Sequence, residues 1–151
     1  MNVALFGKEK IPSVAQRLAT KAAQQALGAK AKRRGELCLI FVSDAAIHKV
    51  NREFLGHDYP TDVLSFPYEA LPGVKDPDAP FGDIYISVDT AKRQAKSMGH
   101  DVTTEILTLI THGALHLVGY DDKTPADQAK MFKRQDRLVQ QLRKPRPYGK
   151  K

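Results

Sequence analysis

The stretch Val102-Thr-Thr-Glu-Ile-Leu-Thr-Leu-Ile-Thr-His112-Gly-Ala-Leu-His116-Leu-Val-Gly119-Tyr-Asp-Asp122 carries Ile106, Leu109, Ile110, Gly113 and Leu117 at three- and four-residue intervals. That period predicts a helix from about Val102 to Val118 with a core-facing stripe, the longest apolar helix of the chain and its central one. Residues four apart on a helix stack on one face about 6 Å apart along the axis, so His112 and His116 can share one ion. Gly119 is placed to end the helix and let the chain double back, which brings Asp122 to the same ion from another direction. Two histidines and a carboxylate match catalytic zinc sites, which use three protein ligands and keep a position open. One zinc ion, or another divalent transition metal, is therefore expected on His112, His116 and Asp122. The competing reading is two helix histidines on the polar edge of a core helix. A bare HxxxH would favour it, and the glycine and acid that follow argue against it. The spacing also matches the extended zinc-protease pattern, but those enzymes place a glutamate directly after the first histidine as general base. Gly113 stands there, which leaves peptide hydrolysis without its proton shuttle.

Upstream, Asn2 to Phe6 reads as a strand, and Ser13 opens a helix ended by Gly28 with Val14, Leu18, Ala22 and Ala26 on one face. Lys30 to Gly35 reads as a basic loop. Glu36 to Val42 is a continuous apolar run expected to be a central strand. Ser43-Asp44 then caps a helix from about 44 to 55, with Ile47, Val50 and Phe54 at helical spacing. Val63 to Phe66 reads as a strand closed by Pro67, and Leu71 to Pro80, rich in proline and aspartate, as a loop and the expected lid. Ile84 to Val88 alternates as a strand, Asp89-Thr90 is expected to cap a short helix, and Gly99 to end it. Downstream, Thr124-Pro125 starts a last helix with Ala129, Phe132, Val139 and Leu142 on its apolar face. Strands mixed with helices and no internal repeat give one α+β or α/β domain.

The 151 residues, 42% hydrophobic and 27% charged, suit one domain with a real core. No apolar run approaches the roughly 20 residues of a membrane span, and the opening Met-Asn-Val-Ala-Leu-Phe-Gly-Lys is unlike a signal peptide, so a cytosolic protein is expected. Cys38, the single cysteine, allows no intramolecular disulfide and reads as a small buried hydrophobe. The net charge of +7 is unevenly spread. Residues 1–35 hold eight Lys/Arg against one acid, residues 36–142 hold eleven against sixteen, and the tail from Arg143 to Lys151 holds five and no acid. An acidic middle between basic ends suits a cation site flanked by segments that grip a polyanion, of which nucleic acid is the commonest. Basic ends that serve only solubility fit the composition equally well. The expected organisation is a single metal-dependent hydrolase domain over 1–142 and a basic, flexible tail over 143–151.

The segment His112-Gly-Ala-Leu-His116-Leu-Val-Gly-Tyr-Asp-Asp122 resembles the signature of the YbeY endoribonuclease family. Asn51-Arg-Glu-Phe-Leu-Gly-His-Asp58, Pro60-Thr-Asp-Val-Leu-Ser-Phe-Pro67 and Gly82-Asp83-Ile84 agree with further family blocks. The resemblance spans roughly residues 40 to 140. It implies a zincin-like α+β fold, a small mixed sheet packed with helices, whose central helix carries the HxxxH pair. It also implies one zinc-like ion and a single-strand-specific endoribonuclease of small-subunit (16S) rRNA maturation and ribosome quality control. Its partners would be ribosomal RNA, the small subunit and assembly factors. Where the family usually has a third histidine this chain has Asp122, and where many members carry an arginine it has Leu55. Arg52, one helical turn earlier, and His57, two residues later, are the side chains able to meet a phosphate instead, solvent-exposed structural roles being the alternative for both. The catalytic candidates are thus His112 and Arg52. Thr61, Asp62 and Asp83 are candidates for supporting the site, whereas His48, His57 and His100 lack partners at ligand spacing and are expected on the surface. The rival to an enzyme is a non-catalytic ribosome-assembly or RNA-binding factor stabilised by the ion.

Overall fold

A computed structural model gives the architecture and describes residues 1–59, 61–69, 72–76 and 78–143. The elements follow as β1 (Asn2–Phe6), α1 (Ser13–Leu27), β2 (Glu36–Val42), α2 (Asp44–Leu55), β3 (Val63–Pro67), β4 (Gly82–Ser87), α3 (Val88–Met98), α4 (Val102–Leu117) and α5 (Pro125–Arg143). They form one α+β domain around a four-stranded sheet of order β1-β2-β4-β3. β1, β2 and β4 run parallel, with Leu39 opposite both Leu5 and Ile84, and β3 closes the edge antiparallel to β4, with Ser65 opposite Ile84. Although β2 is apolar after Glu36, its burial alternates: Leu37, Leu39 and Phe41 are wholly enclosed while Cys38, Ile40 and Val42 are only partly covered. One face of the sheet therefore carries the main core.

That core is organised by α4, which packs against β3 and β4 and also against α1, α3 and α5. Elements on every side leave it without a single stripe: Leu107, Thr111, Ala114 and Leu115 are buried along with Ile106, Leu109, Ile110 and Gly113, and Leu117 is only partly buried. The inward face of α1 is also turned from its expected position, to Ala15, Ala19, Ala22, Ala23 and Ala26 with Val14 and Leu18 half-covered. Alanines there let α1 lie close to α4. On α5 the buried residues are Met131, Gln135, Leu138 and Val139, whereas Ala129 and Phe132 are exposed. Thr124 caps this helix as expected, its Oγ1 accepting from Asp127 N at 3.1 Å.

Two adjacent helix starts brace one another. Ser43 caps α2 as expected, but the cap of α3 is Ser87 rather than Asp89-Thr90. The Asp44 carboxylate accepts from Ser87 Oγ at 2.6 Å and Thr90 Oγ1 at 2.7 Å, and Asp89 returns the contact by accepting from Asp44 N at 2.9 Å. Each carboxylate thus sits at the positive end of a neighbouring helix. A short 3-10 turn, Gly28–Lys32, takes in the first three residues, 30–32, of the expected basic loop. The tail lies outside the described residues except for Arg143, which ends α5 and pairs with Asp101 at 3.0 Å.

Candidate metal centre

The C-terminal half of α4 presents His112 and His116 on one face, with their Nε2 atoms 3.1 Å apart. Each ring is oriented through its other nitrogen. His112 Nδ1 lies 2.8 Å from Gln135 Oε1 on α5, and His116 Nδ1 lies 3.1 Å from the carbonyl of Tyr120. Both acceptors require a proton on Nδ1, which leaves each Nε2 with a free lone pair directed at the same point. Gly119, at φ 104°, turns the chain after α4, and Tyr120 N bonds back to Leu115 O. The turn brings Asp122 Oδ2 to 3.9 Å from His116 Nε2. The three donor atoms lie within 4.8 Å of one another. Asp121 faces another way, its Oδ1 accepting from Lys123 N at 3.2 Å.

The electrostatics suit a cation. Burial, together with the neighbouring His112 ring, holds the His116 pKa below its ordinary value, and the nearby Asp122 opposes the shift in part. A neutral imidazole is the form that ligates. Donor set, tautomers and spacing therefore fit a divalent transition metal. Gly113 is explained by packing: a Cβ there would stand 2.7 Å from Ile84 Cγ2 and 2.9 Å from Ser65 Oγ, while Ser65 donates to Gly113 O at 2.9 Å. The sheet occupies the place where a protease would carry its glutamate.

A cleft of about 550 Å³ opens beside His112 and Asp122, between the α4 face and α5. Asp62 reaches its wall, with its carboxylate accepting from Val63 N at 2.8 Å and from Gln94 Nε2 at 3.3 Å. Thr61 Oγ1 donates to the same carboxylate at 3.4 Å. Arg52, 56% exposed at its side chain and 3.9 Å from Asp58, is not part of the wall, nor are Leu55, His57 and Asp83. No described residue of the 71–80 loop lines the cleft, so the expected lid is not one of its walls. His48 and His57 lie at the surface, where His48 meets Asp58 at 2.8 Å and His57 stacks on Tyr59. His100 departs from expectation: it is half-buried in the cleft wall, and its Nε2 lies 2.7 Å from the buried Glu105 carboxylate. The Cys38 thiol is pushed up to about 12 by burial and by the Glu36 carboxylate, so it stays protonated and unreactive.

Sequence spacing did not find Gln135, because its partner is 23 residues away on another helix. Its signal is a polar side chain inside the buried Met131, Leu138, Val139 stripe of α5.

A family model described as Endoribonuclease YbeY matches residues 5–143. The chain belongs to the endoribonuclease YbeY family. Among its relatives, one from Elusimicrobium minutum named Endoribonuclease YbeY is 43% identical over 141 residues, covering 92% of this chain and 98% of the relative. Another of that name, from Moorella thermoacetica, is 42% identical over 139 residues, covering 88% and 86% of the two chains. The solution structure of TM1509 from Thermotoga maritima superposes with a TM-score of 0.62 at 24% identity, covering 99% of both chains, and supports the fold. Among the described residues of this YbeY-family chain, no helix is long and apolar enough to cross a membrane.

Proposed function

We propose that this chain is a metal-dependent endoribonuclease that cuts single-stranded segments of ribosomal RNA, acting in the cytoplasm in small-subunit (16S) rRNA maturation and ribosome quality control. Membership of a family whose relatives are named endoribonucleases supports the reaction class. The observation that carries the metal dependence is the pair of Nε2 atoms 3.1 Å apart, each imidazole tied through Nδ1, with the Asp122 carboxylate alongside. His112, His116 and Asp122 would hold one zinc or similar divalent ion, which supplies Lewis acidity at a phosphodiester and acidifies water near neutral pH.

The protein's own groups do the remainder. Gln135 and the Tyr120 carbonyl fix the ring tautomers, so the donors are pre-set before substrate arrives. Asp122 brings negative charge to the site, so the centre is less positive than three imidazoles would make it. Arg52, exposed on the last turn of α2, contacts RNA backbone outside the cleft. Ribosomal RNA, the small subunit and its assembly factors are the proposed partners.

Leu55, where the resemblance to the family implies an arginine, favours a second reading: an RNA-binding assembly factor stabilised by the ion without cutting. Incubation with a 16S rRNA fragment containing paired and unpaired segments separates the two. Cuts confined to unpaired segments and lost in His116→Ala support the enzyme. RNA bound and left intact supports the assembly factor, and cuts that persist in His116→Ala contradict the metal centre.

A further inference from the structure

The cleft beside His112 has an unusual lining for a polyanion site. Among the described residues no lysine or arginine lines it, while Asp62, Glu105, Asp122 and Asp136 do. A phosphate entering this space would come among the carboxylates of Asp62, Asp122 and Asp136, with that of Glu105 buried behind His100, and an ion on His112, His116 and Asp122 would offset them at one end. What the cleft offers instead is an aromatic ring and neutral hydrogen-bonding groups. Phe132 is 41% exposed, and its ring centroid lies 6.3 Å from that of His112 with the planes tilted by 32°. Gln140, Thr104 and Thr108 line the same space, with the Thr108 hydroxyl donating to Thr104 O at 2.7 Å. An open aromatic face among uncharged donors and acceptors is how proteins take hold of an unstacked base.

The cations lie around the corner. Positions on a helix advance about 100° per residue, so Lys133 and Arg137, four apart, share a face adjacent to the Phe132–Asp136 face. Both are exposed. From this separation of aromatic and cationic surfaces we infer that the cleft is a nucleobase subsite. One base of a single-stranded RNA leaves its stack and lies on Phe132, while the flanking phosphates pass over Lys133 and Arg137. The inference rests on the proposed reaction with RNA and adds its substrate form: a duplex keeps its bases paired and cannot place one there.

The test uses single-stranded RNA oligonucleotides with 2-aminopurine, or an abasic nucleotide, placed at each position in turn on the metal-loaded full chain. The 2-aminopurine emission changes on binding at one position near the cut, and removal of that base weakens binding. Phe132→Leu, which keeps an apolar side chain at an exposed position, abolishes the emission change and weakens binding about tenfold. Phe132→Tyr restores both. Metal content and the slope of log affinity against log salt stay as in the unmodified protein, because no phosphate contact is lost. Replacing Lys133 and Arg137 by glutamine instead flattens that slope and leaves the emission change in place. Wild-type binding by Phe132→Leu, tolerance of an abasic nucleotide at every position, or a slope flattened by Phe132→Leu would each overturn the subsite while leaving the RNA reaction standing. Failure of the unmodified protein to bind single-stranded RNA at low salt would overturn both.

Discussion

Gln135 Oε1 accepts from His112 Nδ1, which leaves His112 Nε2 to face the proposed ion. Gln135→Leu keeps the side-chain volume and removes the acceptor, so metal affinity is expected to fall about 10- to 100-fold, read by competition with a chromogenic chelator. Asp122→Ala is expected to cost most of the bound metal and Asp121→Ala to keep it, because only Asp122 lies with the imidazoles. Metal analysis showing the opposite order would reassign the third ligand. Gly113→Ala tests a different point, since its Cβ would enter space held by Ile84 and Ser65. A loss of about 1–3 kcal/mol in denaturant unfolding is expected, and unchanged stability would show that α4 can move off the sheet. That His112, His116 and Asp122 come together was legible from spacing because a helix and one turn join them. Gln135, the His100–Glu105 contact and the reason for Gly113 were not, because each depends on a partner from another element or the intervening loop.

At the scale of elements, the strands and helices followed from capping residues, glycines and hydrophobic period, but helix rotation did not. α4 is enclosed nearly all round and α1 turns its alanines inward, since which face is buried depends on what packs there. The cap of α3 moved to Ser87 because its side chain reaches Thr90 N, while Asp89 serves α2. This junction gives a pH prediction. Burial alone would raise the pKa of Asp44, but hydrogen bonds from Ser87, Thr90 and Arg93 outweigh it and hold the value below the ordinary 3.8. A carboxyl with a folded pKa below its unfolded one contributes stability above the unfolded value, and this is lost as pH falls through the folded one. Asp44→Asn is therefore expected to destabilise the protein at pH 6 and to have a much smaller effect at pH 2, measured by urea unfolding at both. An equal loss at the two pH values would mean that the Asp44 contacts do not depend on its charge.

For the molecule as a whole, charge and chemistry are divided. The acidic middle supplies the proposed metal ligands and a cleft without lysine or arginine among its described lining, while basic residues gather toward the two ends of the sequence. Composition showed the division, and only the packing of α4 against α5 showed that the cleft itself falls on the acidic side. Residues 144–151 contain four Lys/Arg. Deleting them is expected to reduce the slope of log affinity for single-stranded RNA against log salt by as much as about 3, with metal content unchanged. An unaltered slope would assign the tail to solubility. The claim on which the rest depends is that cleavage of single-stranded RNA requires the ion on His112, His116 and Asp122. Bound metal and cleavage rate, measured on the same samples across a chelator titration and again after zinc is added back, test it most directly. One ion per chain is expected, with rate and occupancy falling and returning together, whereas an undiminished rate in metal-stripped protein would show that cleavage does not need the ion.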